Sequence, residues 1–582
     1  MKIKSILYFC SFVACLTMNI SCSDFFDQDS DHVIFADGDH LNNATDTIYS
    51  VTGILNKLQV ISDRTILLGE ARADLVDVTT ATSSDLRNVA LFNINDSNEY
   101  NSPKDYYSII NNCNYFLAKT DTALKNNRNE TIFEKEYAAV KAIRAWTYLQ
   151  LVLNYGKVPF VTDPILSEMD AAKEYPKADI TTICNYFIND IAPYADVAKP
   201  NYGTIRNTDS RFFYFPINIL LGDLNLWAGN YKAAALNYYK YISTRNGTNS
   251  SYPIGTDAAA WGKNVTKYIV PSDYSYNYSF REEAYYNNSE LITMIPGDSI
   301  PMEGNYSQLR SIFNSNTSNN YKVSLTPSQE MYDISASQVY CNKSDKNDVT
   351  YVPGNLTNNY SGDLRFSNIF NQREGTYNKG NCSIQSLNKY STRNVHIYRK
   401  TGVYLRMAEA LNRAGMPKVA FAILSKGLNN QEIDSLKKDY PNDSTWLDQL
   451  NFPNSSYTLR MTNSNSYNTI GIHSRGSGWS EYNAYYAFPD DSTLNDNERL
   501  NYQVTKVEDM IIDENALEMG FEGTRFYDLM RVALRRNDPS YLADRIYKRK
   551  GSNAVSEMKG SVKKNLYDVS SWYLSWKGQI GY

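Results

Sequence analysis

The chain has few of the residue patterns on which enzymatic chemistry rests. Its four histidines, His32, His40, His396 and His473, stand alone. There is no His-Glu-x-x-His and no histidine pair at metal-ligand spacing, and each is expected on the surface or in a loop. No Gly-x-Ser-x-Gly elbow and no Walker loop occur. Of the seven cysteines, Cys10, Cys15 and Cys22 fall in the first 22 residues. The others, Cys113, Cys184, Cys341 and Cys382, are scattered without a Cys-x-x-Cys, so they read as buried, apolar-like thiols whose pairing, if any, spacing cannot assign. Asp37-Gly38-Asp39 and Asp490-Asp491 offer oxygens to calcium but follow no EF-hand pattern, so no cofactor and no metal are expected. A positive balance is also lacking: the net charge is −5, which leaves no electrostatic footprint for nucleic acid. Beyond the first two dozen residues no apolar run is long enough to cross a bilayer.

Tyrosine is what the chain has in excess, 48 of 582 residues, in company with many Asn and Ser. A tyrosine offers a stiff apolar face with a polar tip, which suits ligands that are polar at the rim and apolar on a face. Lys2 and Lys4 lead into an apolar run to about Ile20, too short to span a membrane, followed by Asn19-Ile20-Ser21-Cys22. This reads as a lipoprotein signal peptide over residues 1–21, with Cys22 as the lipidated first residue and Phe12-Val13-Ala14-Cys15 as the rival site. Several acyl chains on one cysteine anchor stably where a single chain does not.

The stretch Glu136–Phe160 organises the rest. Ala142, Ile143, Ala145, Trp146, Tyr148, Leu149, Leu151, Val152 and Leu153 leave almost no polar arc, which predicts a helix buried on several sides. Gly156 sits where a left-handed cap belongs, and Pro159 follows where a helix cannot continue. Helices are also expected over 43–68, 104–124 and 179–194. In Leu220–Tyr238, the positions Leu221, Gly222, Gly229, Tyr231, Ala234 and Tyr238 follow tetratricopeptide spacing. A second copy runs from Tyr404 to Gly427, with Ala408, Ala420 and Gly427 at the small positions around the turn 414–417. The polar stretch from Glu70 to about Asn101 reads as a loop. Residues 245–400, with Asn/Ser/Gly/Tyr clusters between short apolar runs such as Leu291–Ile295, predict loops and short strands on a helical frame. That loop-rich texture returns from Tyr440 to Asn501.

Glu136 near the helix start, Arg144-Ala145-Trp146 within it and Tyr155-Gly156-Lys157-Val158-Pro159 at its end resemble the N-terminal hallmark of the SusD/RagB family. A second hallmark of that family is similar to Glu514–Arg531, where a helix ends in Glu522-Gly523 and Arg525, Asp528 and Arg531 follow; these charges are read as structural. The resemblance implies a mainly α fold, a tetratricopeptide-like helical-repeat scaffold with a long loop-rich, short-stranded insertion forming the ligand face. Its parts would be residues 22–244 (N-terminal helical region), 245–400 (insertion) and 401–582 (C-terminal region with further repeat helices). It further implies a lipoprotein of the outer membrane of Bacteroidetes, facing the exterior, that binds a glycan and passes it to a TonB-dependent β-barrel transporter. Some relatives take peptides or glycopeptides, so that cargo remains an alternative. An enzyme is not expected; with 63 acidic residues a glycosidase built on a carboxylate pair that meets only in three dimensions is the outlying reading. The resemblance makes Arg72, Asp74 and Asp85 candidates for ligand binding, with Asp77 and Arg87 beside them. Aromatic residues in the loops add Trp261, Tyr276, Tyr278, Tyr285, Trp479 and Tyr482, with Tyr274 and Tyr286 nearby.

Overall fold

The computed structural model describes residues 44–205, 208–243, 245–246, 249–250, 259–263, 269–274, 280, 290–297, 307–315, 319–320, 322–343, 349–352, 362–377, 380–452, 471–551 and 559–576. Its frame is a stack of helices: α1 (Ala44–Glu70), α2 (Pro103–Lys119), α3 (Glu134–Tyr155), α4 (Ile180–Ile191), α5 (Ile217–Ala228), α6 (Tyr231–Ser243), α7 (Lys400–Arg413), α8 (Pro417–Ser425), α9 (Asp496–Met519), α10 (Arg525–Arg536) and α11 (Ser540–Tyr547). Each of α1 to α8 packs on the next, and α9 lies against α7 and α8. The contact between α6 and α7 matters most for the architecture. These helices are far apart in sequence yet adjacent in space, so the stack closes directly across the insertion point between Ser243 and Lys400.

The central helix is as buried as its composition demands, with every residue from Ala138 to Leu149 in the interior. It ends at Gly156, whose φ is 75°. Its ψ of −59° lies outside the left-handed helical region expected of that cap, and a Cβ there would press on the ring of Tyr573 at 3.0 Å. In the α5–α6 pair Gly229 does adopt the left-handed conformation, at φ 84° and ψ 9°. Gly222 lets the two helices close: a Cβ at that position would stand 2.3 Å from the ring of Tyr238. The α7–α8 pair repeats the device with Gly415 at φ 85° and Pro417 opening α8.

The strands are short: β1 (Val76–Val78), β2 (Lys157–Pro159), β3 (Lys177–Asp179), β4 (Ala259–Lys263), β5 (Ile269–Tyr274), β6 (Leu291–Ile295), β7 (Leu325–Pro327), β8 (Tyr340–Lys343), β9 (Val349–Val352), β10 (Phe370–Tyr377), β11 (Gly380–Leu387) and β12 (Val395–Arg399). They form two-stranded sheets only. β4–β5, β8–β9 and β10–β11 are antiparallel hairpins within the insertion, while β6 pairs with β12 and β1 pairs with β7 across long separations. Small hairpins of this kind cannot hold themselves together in water. The insertion needs the frame.

Part of its attachment is apolar, with Phe313 and Phe370 packed on Phe521, and part is ionic. Glu518, in the last turn of α9 and fully buried, meets Arg399 at 2.7 Å and Arg365 at 2.9 Å. Arg365 also forks onto Asp363 and reaches Glu514 at 2.6 Å. Arg475 binds Glu290 at 2.7 Å, and Lys389 binds Glu522 at 2.5 Å. Burial pushes the Glu518 carboxyl up, but Arg475, Arg399 and Arg365 outweigh it and hold the group far below the carboxylate range. Glu290, Glu514 and Glu522 are lowered in the same way. Two expected features move into this interior. His473, anticipated on the surface, is 1% exposed, bonded to Glu514 at 2.7 Å and stacked on Tyr486. The 70–101 stretch, read as a polar loop, begins with buried residues and contains β1 and a helix, Ser84–Ala90. Cys113, Cys184 and Cys341 are buried free thiols.

Gly222→Ala is expected to cost about 1–3 kcal/mol, the usual price of an added methyl in a packed contact, read as a lower denaturation midpoint; an unchanged midpoint would show that the helices need not approach so closely. A second expectation concerns pH. Glu70, at the end of α1, accepts the Gly523 N–H at 2.7 Å while burial raises its pKa to about 7. Burial likewise raises Asp513 to about 6. Raised carboxyls favour the fold while protonated, so stability falls as pH climbs from about 4.5 to 7. The lowered glutamates do the reverse, their contribution being complete above about pH 4.5 and lost in stronger acid. Unfolding in urea across pH should therefore show a maximum near pH 5. Glu70→Gln should flatten the neutral limb by on the order of 3 kcal/mol. A wild-type profile still rising towards pH 7 would contradict this.

Candidate functional site

Four aromatic side chains gather where the insertion meets the segment after α8. Gly478 begins the arrangement. Its φ of 77° and the space it occupies exclude other residues, since a Cβ would sit 2.1 Å from the Cys341 carbonyl oxygen. The backbone of 478–479 therefore runs directly along β8, and the Trp479 N–H donates to the Cys341 carbonyl at 2.9 Å. A 3-10 turn, Ser480–Tyr482, follows. Asn483, buried, donates its amide to the Val339 carbonyl at 2.7 Å. From β9, the Tyr351 hydroxyl donates to the Tyr482 carbonyl at 3.1 Å. The Tyr351 ring meets Tyr485 edge to face at 5.1 Å, and Trp479 lies 6.3 Å from Tyr482 at a tilt of 55°. Tyr485 is 71% exposed, whereas Trp479, Tyr482 and Tyr351 are half-buried.

The platform is rigid because its root is locked. Immediately before it, Ser474–Ser477 is wholly buried. Arg475 joins Glu290, Ser477 donates to Asp363 at 3.0 Å, and the Ser480 hydroxyl donates to the Ser425 carbonyl at 2.9 Å. Immediately after it, Tyr486 stacks flat on His473. Tyrosine and tryptophan held in this way present contact area at little further entropic cost. The chemistry available is stacking on an apolar face combined with hydrogen bonding at its rim. Among the described residues no group of three potential metal ligands occurs. Asp490 is engaged instead by Arg499 and by Gln503 at 2.8 Å.

Among the described residues anticipated from the sequence, Trp479 and Tyr482 come together in this platform. Tyr351 and Tyr485 complete the group; the Tyr482-Asn483-Ala484-Tyr485-Tyr486 run could have pointed to Tyr485, but nothing local marks Tyr351. Arg72 and Asp74, anticipated in a ligand-lining loop, are closed to solvent. Arg72 donates to the carbonyls of Leu68 and Trp572 and to Asn154 at 2.7 Å, and its guanidinium lies over the Phe526 ring. Asp74 accepts two bonds of 2.7 Å from Arg525. Both belong to the frame, far in sequence from their partners. Asp85 is half-buried in the Ser84–Ala90 helix and accepts the Glu99 N–H at 3.0 Å, apart from the platform residues. Trp261 lies on β4, whose backbone alone is described. Tyr276, Tyr278, Tyr285 and Cys22 lie outside the described residues.

No family model matches the chain, and no curated protein matches it. Solved structures do. A SusD superfamily protein from Bacteroides vulgatus aligns over 92% of this chain and 96% of its own at 15% identity, with a TM-score of 0.55. A SusD superfamily protein from Bacteroides thetaiotaomicron covers 90% and 95% at 15% identity, TM-score 0.52. A SusD-like protein from Bacteroides fragilis covers 86% and 88% at 15% identity, TM-score 0.51. Likeness over nearly the whole length of both chains means that this chain has the fold of these SusD superfamily structures.

Proposed function

We propose that this protein is a surface lipoprotein that captures glycan on the platform of Trp479, Tyr482, Tyr485 and Tyr351 and releases it unchanged to a TonB-dependent outer-membrane transporter. The observation that carries the reading is the platform itself, exposed at Tyr485 and rooted in a fully buried segment. Fold alone does not decide function; support comes from the fold combined with the two family-like sequence hallmarks and the lipobox-like start. A sugar ring stacked on one aromatic face removes roughly 100 Å² of apolar surface from water, worth about 2–3 kcal/mol. Two such stacks, less the cost of association, give about millimolar to micromolar binding. A receptor that must pass its cargo on needs such an off-rate, and a repeating polymer supplies the avidity.

Titration of the soluble body, lacking residues 1–22, with oligosaccharide and oligopeptide panels tests the cargo. Oligosaccharide binding should weaken about 10- to 100-fold in Trp479→Ala and by a comparable factor in Tyr485→Ala, with no reducing ends released over long incubation. Peptide binding alone, or sugar binding that survives both substitutions, would defeat the assignment. The anchor has its own test: Cys22→Ala should abolish acylation, shift the protein out of the outer-membrane fraction and prevent co-purification with a β-barrel partner. Acylation that persists in that variant and is lost in Cys15→Ala would move the anchor site.

A further inference from the structure

The helical frame holds a second feature, separate from the platform. Between α1, α3, α5, α7 and α10 lies a cavity of about 70 Å³. Its lining runs from the buried Trp146 to the half-buried Gln150, Trp227 and Arg406, so it reaches from the core towards the surface. At roughly the space one water needs, this volume holds about five waters.

The charges around it are already compensated. Asp223 accepts the Tyr238 hydroxyl at 2.7 Å, the Tyr398 hydroxyl at 2.6 Å and Nη1 of Arg406 at 2.9 and 2.8 Å. Arg531 is bound by Glu409 and by Asp528 at 2.7 Å, and Glu522 is bound by Arg399 at 2.8 Å. An ionic ligand would meet both signs at once and find no free counter-charge. The neutral groups are different. Trp146, Gln150 and Trp227 make no side-chain hydrogen bond among the described residues, and Thr524, at the N-cap of α10, leaves its hydroxyl unused by the helix. Trp146, 98% buried as a residue, brings to the lining an indole N–H that can only donate. A lining of unspent indole N–H, amide and hydroxyl groups between paired charges suits hydroxyls that both donate and accept. Waters meet that need, and a molecule whose hydroxyls reproduce their bonds displaces them without loss. Half-buried Trp227, its face held by the Arg531 guanidinium at 5.1 Å, supplies an apolar wall for carbon.

We propose that this cavity is a binding site for a compact neutral polyol, glycerol-sized in its enclosed part, with the outer end open to one edge of a sugar ring. The site stands or falls independently of glycan capture at the platform. The test uses the soluble body labelled with 5-fluorotryptophan and glycerol, erythritol and glucose as probes, each up to about 100 mM, enough to saturate a millimolar site. Saturable ¹⁹F shifts are expected at the Trp146 and Trp227 resonances with Trp479 unmoved by glycerol. Gln150→Phe, which plugs the outer end, should weaken the response more than tenfold while leaving oligosaccharide binding at the platform intact. Thr524→Val, which removes a hydroxyl that caps nothing, should weaken it several-fold without altering thermal stability, and serves if the bulkier variant fails to fold. Absence of a saturable shift with all probes would mean that the cavity holds water only, and a shift unchanged in both variants would equally overturn the proposal.

Discussion

Glu518 is a fully buried carboxylate, and the placement of the insertion follows from that. Burying an ionised carboxyl costs several kcal/mol unless charge and hydrogen bonds replace the lost hydration. Here three guanidiniums do so, and they come from separate stretches of chain: Arg365 from the helix Leu364–Ile369, Arg399 from the end of β12, Arg475 from the segment that leads into the platform. None of these stretches is joined to α9 by sequence. Each has to arrive, because a missing partner leaves an uncompensated charge in the interior. An apolar contact of the same area would tolerate sliding by a fraction of a residue. A forked guanidinium–carboxylate pair does not, since both its bonds depend on direction. The ionic cluster is thus less a reservoir of stability than a means of specifying one arrangement of otherwise weakly structured hairpins.

The helical stack makes such an insertion tolerable. Because α6 packs directly on α7, the frame closes across the insertion point and keeps its own core. Loop-closure entropy rises only slowly with length, so a long excursion is cheap once its two ends are held together. The close approach at Gly222 and Tyr238 and the matching pairing of α7 with α8 hold those ends. Binding residues can then vary on the excursion while the frame remains constant, which is the usual division of labour between scaffold and loops.

How much of this was legible follows the same division. The helix pairs could be read because their cause is local: a small residue at the crossing, a glycine or Gly-Met-Pro turn between two apolar stripes, a near-continuous apolar run in α3. The hairpins could be expected, though not their register, from turn-rich clusters around short apolar runs. Arg525, Asp528 and Arg531 could be read as structural, but the partners of the buried charges could not be read. Arg72 and Asp74 sit in a Glu-Ala-Arg-Ala-Asp stretch that looks like the start of a solvated loop. Their partners, Trp572, Tyr527 and Arg525, lie some 450 to 500 residues on. Burial of a charge is decided by whether a counter-charge arrives from elsewhere, and no local pattern records that. His473 misleads for the same reason, its partner Glu514 being on another element. The platform was half legible: Trp479 and Tyr482 lie in one turn, whereas Tyr351 reaches them from a hairpin across the sheet.

The two features differ in how a ligand would meet them, and the difference is physical. On the platform the aromatic faces are already fixed by β8, β9 and the buried root, so a ligand stacked there would lose its own freedom while the protein lost little. The small area of each stack would keep contacts there weak and exchangeable. In the frame cavity the balance is reversed. The enclosed volume is small and Trp146 in its lining is buried, so a ligand there would shed hydration and depend on hydrogen bonds from the lining. A surface that must let go and an enclosed niche call for different solutions to desolvation. The same chain provides both by placing one on an exposed loop tip and the other among the helices on which that loop is mounted.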